Sequence, residues 1–282
     1  MKGPLKDCGR DRHQRGGGVV PRMLALAVLL GMFLGGALNA MAAPGSTPAA
    51  GPAAVEPGPD AHPRFPGRPG PLPRDSVIKL APGVFRVGGV TIDANQRRVT
   101  IDGHVNMSSG IVELLACARF GKTHESVFAM DAEPYHIQVG LLLLGLEPTK
   151  RPLRFQGDKD TPTGDSVEVT VAWTDSTGKR VEVRGEDAIL DLRTNQPMPH
   201  TPWIFVGSRI ANGQFEAQVD GNIITTYHDP ATIIDNPLEG GGNDTVYGVN
   251  SALVPSVGTP VTLTVRALSL PRSKSGRQEK KP

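Results

Sequence analysis

Apolar and polar residues alternate along several segments of the chain, most clearly in the segment SVEVTVAW at residues 166–173. There Val167, Val169, Val171 and Trp173 fall on one face, and mainly polar residues fall on the other. A period of two is typical of a β-strand with one buried face. The turn-like sequence TDSTGK then leads into RVEVRG, so the pattern predicts a β-hairpin.

The same alternation predicts further strands. RVTIDGHVNM follows a DANQ turn, and IVELLACA follows SSG. Residues 215–219 alternate up to Asp220-Gly221, which we interpret as a strand ending in a tight hairpin turn. Residues 261–265 alternate after Pro260 and predict a closing strand.

Helical signals are fewer. In DAEPYHIQVGLLLLGL, Asp131 can cap a helix, Pro134 suits a first turn, and Gly145 can end the helix. This helix is apolar nearly all round, which predicts burial on several sides. GEDAILDLR and DPATIIDNP are shorter candidates. The predicted fold class is α+β: a mainly antiparallel β-sheet domain with one buried apolar helix and one or two short helices.

The amino-terminal 42 residues have the pattern of a signal peptide. A basic leader precedes the apolar run Met23–Leu34, and Ala40-Met41-Ala42 supplies the small-x-small cleavage pattern. The alternative is an uncleaved membrane anchor, since residues 23–43 are long enough to span a bilayer. Either reading predicts an extracytoplasmic protein, periplasmic or secreted, whose only link to the membrane is this segment.

The segments that flank the domain lack the apolar residues that a core requires. Residues 43–74 are rich in Pro, Gly and Ala and predict a disordered linker, and residues 272–282 predict a basic disordered tail. Residues 75–271 form one domain. Cleavage after Ala42 would leave Cys117 as the only cysteine, so no intramolecular disulfide is expected.

The charge of the domain excludes one class of partner. Residues 75–271 contain 16 Lys plus Arg and 23 Asp plus Glu, a net charge of −7, whereas the whole chain is formally +2. A nucleic-acid-binding protein should carry its positive charge on the folded body. No nucleic-acid partner is expected.

The stretch GKTHESVFAMDAEPYH at residues 121–136 concentrates polar side chains. GKT resembles the end of a phosphate-binding loop, but that motif requires glycine at position 116, which is Ala. An extended backbone through THESVFAM sends His124 and Glu125 to opposite faces, which argues against a site shared with His136. The alternatives are a structural junction or a polar pocket in which His124, Ser126 and the first helical turn, including His136, face a ligand.

Other candidate groups have weaker support. Cys117 lies among apolar residues that should raise the pKa of a thiol and leave it inert. PMPHTPWIFVGSR contains Trp203, read either as a core anchor or as an aromatic platform for a ligand. Ser208 and Arg209 follow as candidate ligand-binding residues, although no G-x-S-x-G surrounds Ser208. No metal site, cofactor or catalytic residue is assigned.

Several blocks in a fixed order carry a resemblance to a known family. These blocks are ACARFGKTHESVFAMDAEPYHIQVGLLLLGLEP, VEVTVAWTDSTGK, PWIFVGSR and GTPVTLTV. The chain resembles the YdjY-domain family of exported bacterial proteins over most of residues 84–268. The resemblance implies no particular activity, because the family has no settled one. Some of its members carry an iron–sulfur label, but one cysteine cannot supply the four thiolates of such a cluster.

These observations predict an exported, non-enzymatic binding or assembly module of the bacterial cell envelope. Its partner would be an unknown envelope protein or a small ligand. The rival hypothesis is an envelope hydrolase or metal-dependent enzyme centred on His124, Glu125 and His136.

Overall fold

A computed structural model describes residues 77–268. The predicted signal peptide, linker and basic tail lie outside the described residues. Within residues 77–268, no helix is long and apolar enough to cross a membrane.

Strands dominate the described part of the chain. They are β1 (Val77–Ala81), β2 (Val84–Val87), β3 (Val90–Asp93), β4 (Arg98–Val105), β5 (Leu114–Ala118), β6 (Ser126–Met130), β7 (Asp165–Thr174), β8 (Arg180–Arg184), β9 (Ile189–Asp191), β10 (Gln196–Pro197), β11 (Trp203–Phe205), β12 (Ile210–Ala211), β13 (Gln214–Phe215), β14 (Asn222–Thr225), β15 (Ile234–Asp235), β16 (Tyr247–Val249) and β17 (Pro260–Ala267). The helices in the same residues are α1 (Pro134–Leu143), α2 (Glu216–Asp220) and the 3₁₀ turns Thr123–Glu125, Gly185–Ala188 and Glu239–Gly242.

Eight strands close into a barrel. Their order is β4-β17-β7-β11-β15-β14-β5-β6, and β6 pairs back onto β4. Most neighbours are antiparallel, but β5–β6 and β14–β15 are parallel. The predicted α+β class is therefore wrong, because the protein is a mostly-β closed barrel with two α-helices in the described residues. Closure depends on the register Gly103↔Met130, which no local pattern reveals.

β4 is the branch point of the sheet. Residues 98–101 of β4 pair with β3, and residues 103–105 pair with β6. β1, β2 and β3 therefore extend the sheet beyond the barrel, and β8 extends it beside β7. The remaining strands form two small sheets, β10-β9-β16 and β12-β13.

The strongest alternating segments form the predicted strands. β7 and β8 make the expected hairpin, with Val171 opposite Val183 and Trp173 opposite Val181. β17 pairs with β4 on one side and β7 on the other. Alternate side chains of these strands are buried and fill the barrel. The barrel core is thus built from the period-two positions.

Helix α1 covers the sheet extension next to the barrel. It begins at Pro134 and is followed by Gly145 with φ +82°, as predicted. Gly140 lets the helix approach β3 and β4, because an added Cβ would lie 3.3 Å from Ile92 and 3.2 Å from Val99. Burial on several sides was a wrong prediction, since the outer side of α1 exposes Tyr135, Leu142 and Leu143.

The ends and the shorter segments differ from their predictions. The residue that precedes α1 is Glu133, without a side-chain cap, so Asp131 does not cap the helix. GEDAILDLR forms a 3₁₀ turn and β9, and DPATIIDNP forms turns and β15.

Residues 215–219 do not form the predicted strand and hairpin turn, because α2 starts at Glu216. The hydroxyl of Ser208 accepts a hydrogen bond from the N–H of Ala217 in the first turn of α2. Gly221, with φ +74°, ends the helix. Of the alternating apolar residues, Ala217 is buried, whereas Phe215 and Val219 are only partly buried.

Asp235, in β15, is a fully buried carboxyl group. Its Oδ1 accepts hydrogen bonds from the Thr225 hydroxyl at 2.9 Å and the Asn236 N–H at 2.8 Å. Its Oδ2 has no partner within the described residues. The side chain lines a cavity of about 10 Å³ beside Val206 and Ser208. Burial raises the pKa of Asp235 well above its usual value, which favours the protonated acid.

Replacing Asp235 with Asn should stabilise the protein at neutral pH. In the unfolded chain Asp235 ionises above its ordinary pKa, whereas in the folded protein it stays protonated to a much higher pH. The folded state therefore loses stability as the pH rises from the ordinary pKa of an aspartate toward the raised pKa of Asp235. Asp235→Asn should gain about 1–3 kcal/mol in free energy of unfolding at pH 7.5 and little at pH 4. Urea unfolding at both pH values measures this.

Asp175 supplies a control of opposite sign. Hydrogen bonds from Thr177 and Lys179 lower the pKa of Asp175, so its contribution is present at neutral pH and is lost in acid. Asp175→Asn should therefore lose stability at pH 7.5 relative to acid. A gain that is independent of pH in Asp235→Asn would contradict the assignment of a protonated Asp235.

Candidate functional site

The polar stretch at residues 121–136 divides at strand β6. The 3₁₀ turn Thr123–Glu125 precedes β6, so the prediction of an extended backbone from residue 123 is wrong. As a result His124 and Glu125 do not point apart, and His124 Nε2 lies 3.6 Å from Glu125 Oε2. The side chain of His124 is 79% exposed. His124 therefore lies on an open surface at the start of β6, whereas the side chain of Glu125 is 21% exposed.

His124 and His136 occupy opposite ends of β6. His124 precedes the first residue of the strand, whereas His136 lies in the first turn of α1, beyond its last residue. A five-residue strand is roughly 15 Å long. The two imidazoles therefore do not share a site. Ser126, the third residue of this predicted pocket, is buried and donates its hydroxyl to the Phe128 carbonyl at 3.0 Å.

Lys122 links two distant segments. Its Nζ lies 3.5 Å from Asp229 Oδ2 and 3.6 Å from Glu125 Oε1. Burial alone lowers the pKa of Lys122, but Asp229, Glu125 and Glu113 outweigh it and raise the net pKa. Asn222 also donates to Asp229, at 2.8 Å. Lys122 thus remains charged and holds the 119–125 connection against the loop after β14.

His136 lines a cleft of about 420 Å³ between the end of β6 and the start of α1. This volume falls in the range of sites for small ligands. The lining consists of Gly89, Arg119, Phe120, Met130, Asp131, Ala132, Glu133 and His136. We call this region the His136 cleft.

The imidazole of His136 is buried without a partner. The residue is 6% exposed, and neither ring nitrogen has a hydrogen-bond partner in the described residues. Burial lowers the pKa of His136, so the ring is neutral. A neutral imidazole offers one N–H donor and one acceptor nitrogen. An unpaired buried polar group costs about 1–3 kcal/mol, and its position beside a cleft supports a binding role.

Gly88 packs closely against one edge of the His136 imidazole. Its φ is +55°, and an added Cβ would lie 2.2 Å from His136 Nδ1. Gly89 packs as closely on the next segment, because its added Cβ would lie 2.1 Å from the Asp131 carbonyl oxygen. The glycine turn between β2 and β3 thereby makes room for the imidazole and fixes one wall of the cleft.

The rim of the cleft is polar and its floor is largely apolar. Arg119 and Asp131 form an exposed ion pair at the rim. Glu133 accepts a hydrogen bond from Gln218, which also accepts the Tyr135 N–H at 3.0 Å. Phe120, Met130 and Ala132 supply the apolar lining. Such a cleft suits a ligand with an apolar body and one hydrogen-bonding group.

The other candidate residues have structural contacts. Trp203 is fully buried, so it is a core residue and not an aromatic platform. Ser208 holds the first turn of α2, and Arg209 forms an ion pair with Glu216. None of these three residues lines the His136 cleft.

The histidines do not form a metal site with acidic or thiol groups in residues 77–268. No group of three His, Cys, Asp or Glu side chains there is placed to hold an ion. His200 pairs with Asp187, whose Oδ1 lies 2.7 Å from its Nε2. His228 lies between the carbonyl oxygens of Asp158 and Asn236 at 2.7 and 2.8 Å.

Cys117 should be unreactive in the folded protein. It is fully buried in β5, and burial raises the pKa of its thiol to about 11. In a Cys8→Ser background, a disulfide-exchange thiol reagent at pH 8 should leave Cys117 unlabelled and should label it fully in denaturant. Rapid labelling under native conditions would contradict its burial.

Sequence reasoning identified His136 but missed Gly88, Arg119 and Phe120. The two adjacent glycines between alternating segments were the available signal, since such pairs mark turns and close approaches. Arg119 and Phe120 carried no local signal, because they reach the cleft only through the parallel connection between β5 and β6.

Comparison with known proteins gives one match. A family model described as the YdjY domain matches residues 90–266, which is more than half of the chain and includes most of the barrel and the His136 cleft. No curated protein and no solved structure matches the chain.

Proposed function

The chain belongs to the YdjY-domain family, and from this premise we propose that it is an exported, non-enzymatic binding module of the bacterial cell envelope. Its ligand occupies the His136 cleft. The signal-like amino terminus and the proline-rich residues 43–74 support export and tethering of the domain.

The unpaired imidazole of His136 carries this proposal. In most proteins a buried polar group is hydrogen-bonded, so the exceptions call for an explanation. Both nitrogens are shielded from solvent, and hydrogen bonding to a ligand therefore requires the ring to turn into the cleft. The energy recovered when the ring gains a partner then contributes to binding.

The charged residues that line the cleft limit the chemical class of the ligand. They are Arg119, Asp131 and Glu133, and Arg119 is paired with Asp131, so these charges do not select an anion. The neutral imidazole of His136 does not select one either. The ligand is therefore a small amphipathic molecule, or a side chain of an envelope protein, with a neutral polar group at His136. An enzyme centred on His124, Glu125 and His136 is disfavoured, because His124 and Glu125 lie at the other end of β6.

Native mass spectrometry of the protein purified from its own cell envelope tests this function. The wild-type protein should carry a bound small molecule or a defined partner. His136→Leu should lose it, while His124→Ala, which alters an exposed imidazole, should keep it. Equal retention in both variants, or no bound species in the wild type, would refute the proposal.

A further inference from the structure

The extended sheet has two free edges, and they differ in chemistry. Within the described residues β1 pairs only with β2, and β8 pairs only with β7. An edge strand offers unpaired N–H and C=O groups to other chains, and proteins usually protect such edges with charge or with bulges.

Charged side chains protect the β8 edge from pairing with another chain, whereas the β1 edge lacks this protection. β8 alternates Arg180, Glu182 and Arg184 with two valines, so charges recur along its length. Every residue of β1 is exposed, including the apolar side chains Val77 (57%), Ile78 (54%) and Leu80 (45%). Lys79 is its only charged residue. Among residues 77–268, β1 is therefore an apolar edge strand without a second partner.

The exposed side chains of β1 lie on both faces of the sheet. Val77 pairs with Val87 and shares its face, whereas Ile78 pairs with Arg86 and lies on the opposite face. A partner that packs on one face would leave the other exposed. One additional strand at the edge gives the side chains on each face a cross-strand neighbour on that face.

We propose that this added strand is β1 of a second copy, which forms an antiparallel homodimer with a continuous sheet. With the two-fold axis at Ile78, each Ile78 faces its counterpart and Val77 faces Lys79 of the second copy. An axis at Lys79 would oppose two like charges, which is unfavourable. The self-complementary strand needs no other partner, as is usual for two-fold dimers.

The sequence on either side of β1 limits the contact and disfavours another occupant. Pro82 and the turn at Gly83 end the strand on one side. On the other side, residues 44–73 contain ten prolines, which lack the N–H groups that a paired strand requires. The upstream segment of the same chain is therefore poorly suited to pair with its own β1 edge.

Cysteine cross-linking locates the two-fold axis. In a Cys8→Ser background, oxidation should join Ile78→Cys chains into disulfide dimers, because directly opposed Cα atoms lie roughly 4.5–5.5 Å apart. Lys79→Cys should link poorly, since its counterparts are displaced along the ladder. Arg180→Cys on the β8 edge should not link. Cross-linking at Lys79 or Arg180 as efficient as at Ile78 would overturn the proposed interface.

Sedimentation analysis tests the dimer without a covalent bond. The wild-type protein should sediment as a dimer at high concentration, Ile78→Lys should be monomeric, and Glu182→Lys on the β8 edge should remain dimeric. Circular dichroism verifies that both variants are folded. A wild-type protein that stays monomeric at its highest soluble concentration, or an Ile78→Lys variant that stays dimeric, would overturn the proposal.

Discussion

Replacing Arg184 with Met should lower the free energy of unfolding by about 3–5 kcal/mol, the range expected when a buried ion pair loses one partner. Arg184 donates to Glu186 at 2.5 and 3.2 Å and to Glu168 at 2.8 Å. Glu186 is fully buried and also accepts the Thr201 N–H at 3.0 Å. Without the guanidinium, a carboxylate remains in the interior with one neutral donor.

Urea unfolding of three variants separates this effect from a general loss of charge. Arg180→Met removes the neighbouring exposed ion pair with Glu182 and should cost less than about 1 kcal/mol. Arg184→Met combined with Glu186→Gln should recover much of the loss, because no buried charge is left unpaired. If Arg184→Met is as mild as Arg180→Met, the Arg184–Glu186 ion pair does not stabilise the turn that follows β8.

Replacing Gly88 with Ala should destabilise the protein by about 2–4 kcal/mol, from a left-handed backbone and a steric clash together. Its φ is +55°, and the new methyl group would lie 2.2 Å from Nδ1 and 2.3 Å from Cε1 of His136. The ring must move, and the wall of the His136 cleft moves with it. The variant should therefore lose both stability and ligand.

Gly178 is the matched control for Gly88. Its φ is +85°, but an added Cβ would have no neighbour within 4 Å. Gly178→Ala should thus show only the backbone cost, about 1–2 kcal/mol. His136→Ala should remove most of the additional loss when it is combined with Gly88→Ala. Equal losses at the two glycines, or no such recovery, would show that Gly88 does not shape the imidazole pocket.

The sequence revealed the long strands because their evidence is local. Residues 166–173 and 261–265 show their buried faces within one segment, and the turn after residue 173 predicted the pairing of β7 with β8. The sequence did not predict barrel closure, because closure requires one edge of β4 to pair first with β3 and then with β6. β15 was also missed. It has two residues, and it is a strand only because Ile234 pairs with Ile224 on one side and Phe205 on the other.

The candidate site was predicted only in part, again because some of its evidence is local and some is not. The polar stretch and the helix start at Pro134 placed His136 at a strand-to-helix junction. The assumption of extended backbone at residues 123–125 failed, because a three-residue 3₁₀ turn has no periodicity to detect. The burial of His136 depends on Gly88, 48 positions away in the chain, so no spacing rule near the histidine could have identified the cleft.

The state of the His136 ring tests the account most directly, and nitrogen-15 NMR of histidine-labelled protein measures it. The ring of His136 should remain neutral at pH 6.5, since burial lowers its pKa. Its resonances should shift when a small-molecule extract of the cell envelope is added, while those of His124 stay fixed. A charged His136 at that pH, or an extract that moves His124 and leaves His136 unchanged, would contradict the assignment of the cleft as the binding site.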